Sequence, residues 1–242
     1  MTLPTVRERP SPNHQRRSEP ARIDMLVLHY TGMKTAGEAI DRLCDPAARV
    51  SAHYVVEEDG TVWRLVPEAL RAFHAGRSCW AGGSDLNEVS IGIEIVNPGH
   101  EWGYRPFPEE QLAAVEHLSA ALLSRFAIPC HRVVGHSDIA PDRKSDPGEL
   151  FDWARLARAG IGIWPEPAAG LAHRRGALDH PDAAALADLA VIGYCVTAAA
   201  ETAAVAAFQR RFRPVRWDGR LDAETAQRLA EVRAAYDRVR RC

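Results

Sequence analysis

Three short apolar runs, each ending at or carrying a polar side chain, limit what this chain can fold into. Met25-Leu26-Val27-Leu28 is continuously apolar and breaks off at His29-Tyr30-Thr31-Gly32. A run of that length without polar interruption suits a buried strand. Val89 to Val96 alternates Ile91, Ile93 and Ile95 with Gly92 and Glu94. That two-residue period sends Glu94 to the face opposite the isoleucines. Arg132-Val133-Val134 is a shorter run leading into Gly135-His136. Helical stretches lie between the runs. Thr35 to Leu43 places Ala36, Ala39, Ile40 and Leu43 at three- and four-residue steps and is stopped by Asp45-Pro46. Pro108 to Phe126 carries the stripe Leu112, Val115, Leu118 and Leu122, and a further helix is predicted over Glu149 to Ala159. Ser51 to Glu57 and Thr61 to Val66 flank Glu58-Asp59-Gly60, a hairpin signal. Strands alternating with helices define an α/β domain.

The spacing divides the chain into four parts. Residues 1–20, polar and rich in Pro and Arg, read as an irregular N-terminal arm; residues 21–164 form the α/β domain. Residues 165–178, with Pro165, Pro167 and Gly170, read as a linker. Residues 179–242 are alanine-rich, with three helical segments at about 181–193, 200–212 and 222–240, where Val205, Phe208 and Phe212 fall at helical steps. A small C-terminal three-helix domain is expected there.

Composition excludes some classes. The formal net charge is −2, so no basic field draws the chain to nucleic acid. No stretch reaches the roughly 18 apolar residues of a membrane span. Arg16-Arg17 is followed by Ser18-Glu19-Pro20 instead of an apolar run, so no export signal is read. The five cysteines are odd in number and scattered, the pattern of reduced thiols in a cytosol, and a cytoplasmic location is expected on that basis. Of the 30 Lys and Arg residues only Lys34 and Lys144 are lysine, so each invites attention in a chain that otherwise uses arginine.

His29, His136 and Asp146 stand out as chemistry-bearing. Both histidines follow strands, and Asp146 lies ten residues beyond His136 within Lys144-Ser145-Asp146-Pro147-Gly148. Two imidazoles and a carboxylate would hold zinc with one position left open, the pattern of a catalytic site, whereas by spacing alone a strand histidine also reads as a packed or surface residue. Glu94, a carboxylate on an apolar strand, is either solvent-facing or a general base beside the metal. Lys144 shares a face with Asp146 if the segment is extended, and reads either as a surface lysine or as a partner for a metal-bound group. His53 reads as a packed strand residue or a support for a neighbour. His74, before a loop, is a candidate substrate contact, and His131 a structural residue. No His-Glu-x-x-His occurs, so the common helical zinc peptidase site is missing from the sequence.

These motifs together resemble the AmpD/AmiD-type N-acetylmuramoyl-L-alanine amidases, relatives of the peptidoglycan recognition proteins. The matching pieces, in family order, are Ser11-Pro12-Asn13, Leu26 to Thr31, Ser51-Ala52-His53-Tyr54, His74-Ala75-Gly76, Ser90 to Ile95, Gly135 to Pro141 and Lys144-x-Asp146-Pro147-Gly148. The resemblance implies a mixed central β-sheet flanked by helices, with zinc on His29, His136 and Asp146. It also implies Glu94 as catalytic acid/base, Lys144 as transition-state stabiliser, and hydrolysis of the muramic acid–L-alanine amide in peptidoglycan or muropeptides. A non-catalytic peptidoglycan sensor on the same fold is the alternative. Ile192-Gly193-Tyr194, Ala207 to Phe212 and Asp218-Gly219-x-x-Asp222-x-Glu224-Thr225 resemble a three-helix peptidoglycan-binding domain, against a plain packing or dimerisation module.

Overall fold

The structure, a computed structural model, describes residues 5–19, 22–165 and 181–240. The strands are β1 (Val6–Glu8), β2 (His14–Arg16), β3 (Met25–Tyr30), β4 (Tyr54–Val56), β5 (Val62–Arg64), β6 (Leu70–Ala72), β7 (Ser90–Ile95) and β8 (Val133–Gly135). The helices are α1 (Ala36–Cys44), α2 (Leu86–Val89), α3 (Gly99–Trp102), α4 (Glu109–Phe126), α5 (His136–Ile139), α6 (Trp153–Arg158), α7 (Pro181–Ile192), α8 (Glu201–Phe212) and α9 (Ala223–Arg240). The central sheet runs β1-β5-β4-β7-β3-β8. Strands β4, β7, β3 and β8 run parallel to one another, while β5 is antiparallel to β4, so the sheet is mixed.

One face is covered by α4. Its stripe of Leu112, Val115, Leu118 and Leu122 packs with Leu26 and Leu28 of β3 and Ile91, Ile93 and Ile95 of β7. Each such side chain contributes about 1.5–3 kcal/mol on leaving water. On the other face Met25, Val27 and Val134 share one apolar cluster with Leu189 and Ile192 of α7, Phe208 and Phe212 of α8, and Leu229 and Val232 of α9. The three C-terminal helices fall where the spacing placed them, and their core is continuous with that of the sheet. The expected linker falls almost wholly on residues 166–178, outside the described residues.

Three expectations need correction. The N-terminal arm is not irregular throughout: β1 pairs with β5, and β2 pairs antiparallel with β6. Strands of three residues are too short to leave a period in the sequence. Between them the Ser11 hydroxyl donates to Leu43 O at 2.5 Å, and Asn13 Nδ2 donates to Asp45 O and Val50 O at 2.8 and 2.9 Å, which buckles the arm onto the loop after α1. Helix α6 is shorter than the predicted Glu149–Ala159, because the Asp152 side chain caps it by accepting from Arg155 N at 2.8 Å. Finally, Cys79 and Cys195 form a disulfide, with Cα atoms 5.9 Å apart across 116 residues of sequence. The pairing crosses from the α/β domain to the C-terminal helices, a proximity that only their docking creates.

Candidate metal centre

Parallel pairing of β3 with β7 sets His29 opposite Glu94, and pairing of β3 with β8 brings the chain to His136 one residue beyond the strand end. The loop returning from α5 is tied down where Ser137 N donates to Asp146 O at 2.8 Å. A Cβ on Gly135 would lie 2.8 Å from Pro147 Cδ, so glycine lets this loop close over the strand. Three residues far apart in sequence thereby meet.

The meeting is tight. His29 Nδ1 lies 2.9 Å from His136 Nδ1, and both lie close to Asp146 Oδ2, at 3.1 and 3.0 Å. All three residues are buried, and their donor atoms form a group able to hold a metal ion. Donors around a four-coordinate divalent ion with bonds near 2.0–2.1 Å sit about 3.3 Å apart, which this triangle approaches. The outer nitrogens are occupied: His136 Nε2 meets Ala75 O at 3.2 Å and His29 Nε2 meets His74 Nδ1 at 3.0 Å. Both rings thus point an Nδ1 at the same spot beside a carboxylate, a donor set that fits a borderline-soft divalent cation.

Electrostatics agrees with this assignment. Burial, helped by His136, pushes His29 down to about 4, so its ring is neutral and able to ligate. Burial pushes the Asp146 carboxyl upward, but His136 and then His29 outweigh it and hold Asp146 below the ordinary carboxylate range. Glu94 is driven the other way. Burial and the nearby Asp146 raise it well above the usual value, opposed by Lys144. Its Oε2 is shielded from solvent and has no hydrogen-bond partner. A buried acceptor left unpaired costs about 1–3 kcal/mol, so this atom is poised for something that enters the site.

Glu94, His74, His136, Lys144 and Asp146 line one groove of about 540 Å³, walled by Tyr30 and Phe73 among others. The structure therefore brings His29, His136, Asp146, Glu94, Lys144 and His74 to one site, and leaves His131 and Lys34 outside it. His74 lines the groove and is 7% exposed. His53 is fully buried, with its Nδ1 accepting from Gly92 N at 3.0 Å, and His131 packs on the Tyr236 ring. Sequence reasoning missed Asn87, whose side-chain oxygen receives the N–H groups of His74 and Ala75 at 3.1 and 2.8 Å. Asn87 lies in a stretch that reads as a loop, and no spacing marks it. The Ala75 carbonyl was also missed, since a backbone ligand support leaves no trace in residue type.

Comparison with known proteins agrees with this geometry. Residues 19–149 match the family described as N-acetylmuramoyl-L-alanine amidase. The chain is 39% identical over 230 residues to N-acetylmuramoyl-L-alanine amidase AmiD of Escherichia coli, covering 87% of this chain and 82% of that one. It is 36% identical over 171 residues to 1,6-anhydro-N-acetylmuramyl-L-alanine amidase AmpD of Citrobacter freundii, covering 64% and 89%. Among solved structures, AmiD of E. coli in complex with anhydro-N-acetylmuramic acid-L-Ala-D-gamma-Glu-L-Lys superposes with a TM-score of 0.76 at 33% identity, covering 91% and 93%. AmpDh3 of Pseudomonas aeruginosa superposes with a TM-score of 0.78 at 34% identity, covering 92% and 96%. With more than half its length matched by the family, and a buried His-His-Asp group at the bottom of its groove, the chain belongs to the N-acetylmuramoyl-L-alanine amidases.

Proposed function

We propose that this chain is a zinc-dependent hydrolase of the amide between N-acetylmuramic acid, or its 1,6-anhydro form, and L-alanine in peptidoglycan or muropeptides. One observation carries the reading: three donor atoms about 3 Å apart converge beside a shielded, unpaired Glu94 oxygen at the floor of an open groove. The substrate class comes from the relatives, since AmiD is named with an anhydro-muropeptide and AmpDh3 with an anhydromuramic pentapeptide.

His29, His136 and Asp146 would hold the zinc, leaving its open position to the groove. Zinc in such a site supplies Lewis acidity, polarising a carbonyl and making water more acidic. Glu94 removes a proton from the attacking water, whose oxygen bonds to the lactyl carbonyl carbon of the muramic acid. The ammonium of Lys144, on the same groove wall, stabilises the oxyanion that develops; one well-placed group of this kind contributes about 3–4 kcal/mol. Glu94 then delivers the proton to the alanine nitrogen as the C–N bond breaks, releasing the sugar and a peptide beginning with L-alanine.

The C-terminal helices α7 to α9 serve in this reading as the wall-binding part, in a division at about residue 179. The Cys79–Cys195 disulfide favours an oxidising compartment over the cytosol expected from cysteine count. Among the described residues no helix is long and apolar enough to cross a membrane.

The test is hydrolysis of a purified anhydro-muropeptide. Treatment with a chelator should abolish it, and zinc should restore it. Full activity after exhaustive metal removal would end the proposal.

A further inference from the structure

Each metal-facing nitrogen must be free of a proton, so something has to fix the tautomer of each ring. For His136 the answer is direct, because the Ala75 carbonyl can only accept: Nε2 carries a proton, and the neutral ring then presents its Nδ1 lone pair. For His29 the partner is another imidazole, His74, which can act either way. The tautomer of His29 therefore depends on what His74 is told by its own neighbours.

We propose that His74 is a positioning residue which, instructed by Ser90, sets His29 in the Nε2–H tautomer and so turns its Nδ1 lone pair to the metal. The chain of logic starts at a group with no choice. The Leu86 carbonyl only accepts, and the Ser90 hydroxyl lies 2.5 Å from it, so the hydroxyl proton points there. Ser90 Oγ then offers a lone pair to His74 Nε2, 3.1 Å away, and Nε2 must carry a proton. The His74 ring packs edge-on against the His29 and His53 rings, and with its proton on Nε2 the neutral ring presents a bare Nδ1. That nitrogen accepts from His29 Nε2 at 3.0 Å, and His29 Nδ1 is left free to face His136 and Asp146.

The surroundings are shaped for this relay. Gly92 on the neighbouring strand is a glycine because a Cβ there would lie 2.4 Å from His74 Cγ. Asn87 fixes the backbone of the His74 segment from the other side. A residue 7% exposed and bonded at both ring nitrogens is better placed to orient a ligand than to grip a substrate.

The inference rests on the metal reading above, and its test separates the two. Wild-type, His74→Leu, His74→Gln and Ser90→Ala proteins are labelled with 15N-histidine. The His29 tautomer is read by NMR in the metal-free state, and zinc affinity by competition with a chromogenic chelator. Wild type should show His29 protonated at Nε2. His74→Leu should mix the tautomers and weaken zinc roughly 10- to 100-fold, the usual effect of losing a ligand's outer partner. His74→Gln, whose amide oxygen can still accept from His29, should keep the tautomer and most of the affinity. Ser90→Ala should fall between, and it keeps the test open if His74→Leu fails to fold. An unchanged tautomer and affinity in His74→Leu, or equal zinc loss in folded Leu and Gln variants, would overturn the relay. Failure of the wild type to bind zinc would instead remove the metal reading, while the metal-free spectra would still judge the relay.

Discussion

Replacing Arg211 by Met puts the coupling between the C-terminal helices and the metal centre to a quantitative test. Arg211 extends from α8, with its side chain 4% exposed, and meets Asp138, whose side chain is 1% exposed. Arg211 Nη1 donates to Asp138 Oδ2 at 2.8 Å and Nη2 donates to Val133 O at 3.1 Å, with the guanidinium lying 3.9 Å from the Trp153 ring centroid. Asp138 also accepts from Tyr194 Oη at 2.5 Å and from Gly135 N at 2.8 Å, and it lies in the same short helix as His136. Met preserves much of the volume but leaves a buried carboxylate and a buried carbonyl each short of a donor. A charge-assisted hydrogen bond is worth about 1.5–3 kcal/mol, and an unsatisfied buried carbonyl costs about 1–3 kcal/mol. The sum lies close to the roughly 3–5 kcal/mol measured when one partner of a buried pair is removed. That is a large share of the roughly 5–15 kcal/mol by which a protein is stable. Urea unfolding followed by tryptophan fluorescence should show this loss. Asp138→Asn in the Arg211→Met background should recover at least about 1 kcal/mol, because it removes the stranded charge while keeping an oxygen for Gly135 N. A loss under about 1 kcal/mol in the single variant, or no recovery in the double, would refute the argument that this pair ties the helices to α5.

The remaining predictions concern the base, a buried histidine and the disulfide. Glu94→Gln should retain zinc, measured by elemental analysis, and lose about 10²–10⁴-fold in kcat, the span of general base catalysis; near-normal turnover would show that another group moves the proton. His53 is pushed down to about 3 by burial and then by Arg17, so the folded state takes up its proton far less readily than the unfolded chain, which does so at about 6.5. Stability from this site is therefore intact above pH 6.5 and is lost as pH falls toward 3, by about 3 kcal/mol between pH 7 and pH 4. His53→Gln should flatten that part of a pH–stability curve, and an unaltered slope would count against the assignment. The Cys79→Ser/Cys195→Ser variant should unfold at lower urea, by up to about 5 kcal/mol on the chain-entropy argument for a loop of 116 residues; a non-reducing peptide map lacking the Cys79–Cys195 link would exclude the pairing itself.

Much of this protein is written in local pattern. The alternation over Ser90–Ile95 fixes which face Glu94 takes, because neighbouring side chains on a strand must point to opposite sides. Three-residue steps in α4 and in the three C-terminal helices announce their apolar stripes in the same way. His29, His136, Asp146, Glu94 and Lys144 were all legible, as residues of the right chemistry at strand ends and in motifs that keep family order. What the sequence could not reveal is every relation between distant segments that lacks a period. The pairing of β1 and β2, the meeting of Cys79 with Cys195, the Arg211–Asp138 contact and the Asn87 support of the His74 loop join groups 12 or more residues apart. Local propensity carries no information about such pairs. Sequence alone supplied the candidate ligands and the elements that bear them. Only tertiary packing decided that two rings present Nδ1 to one point, since ring orientation is set by hydrogen-bond partners contributed from elsewhere in the fold.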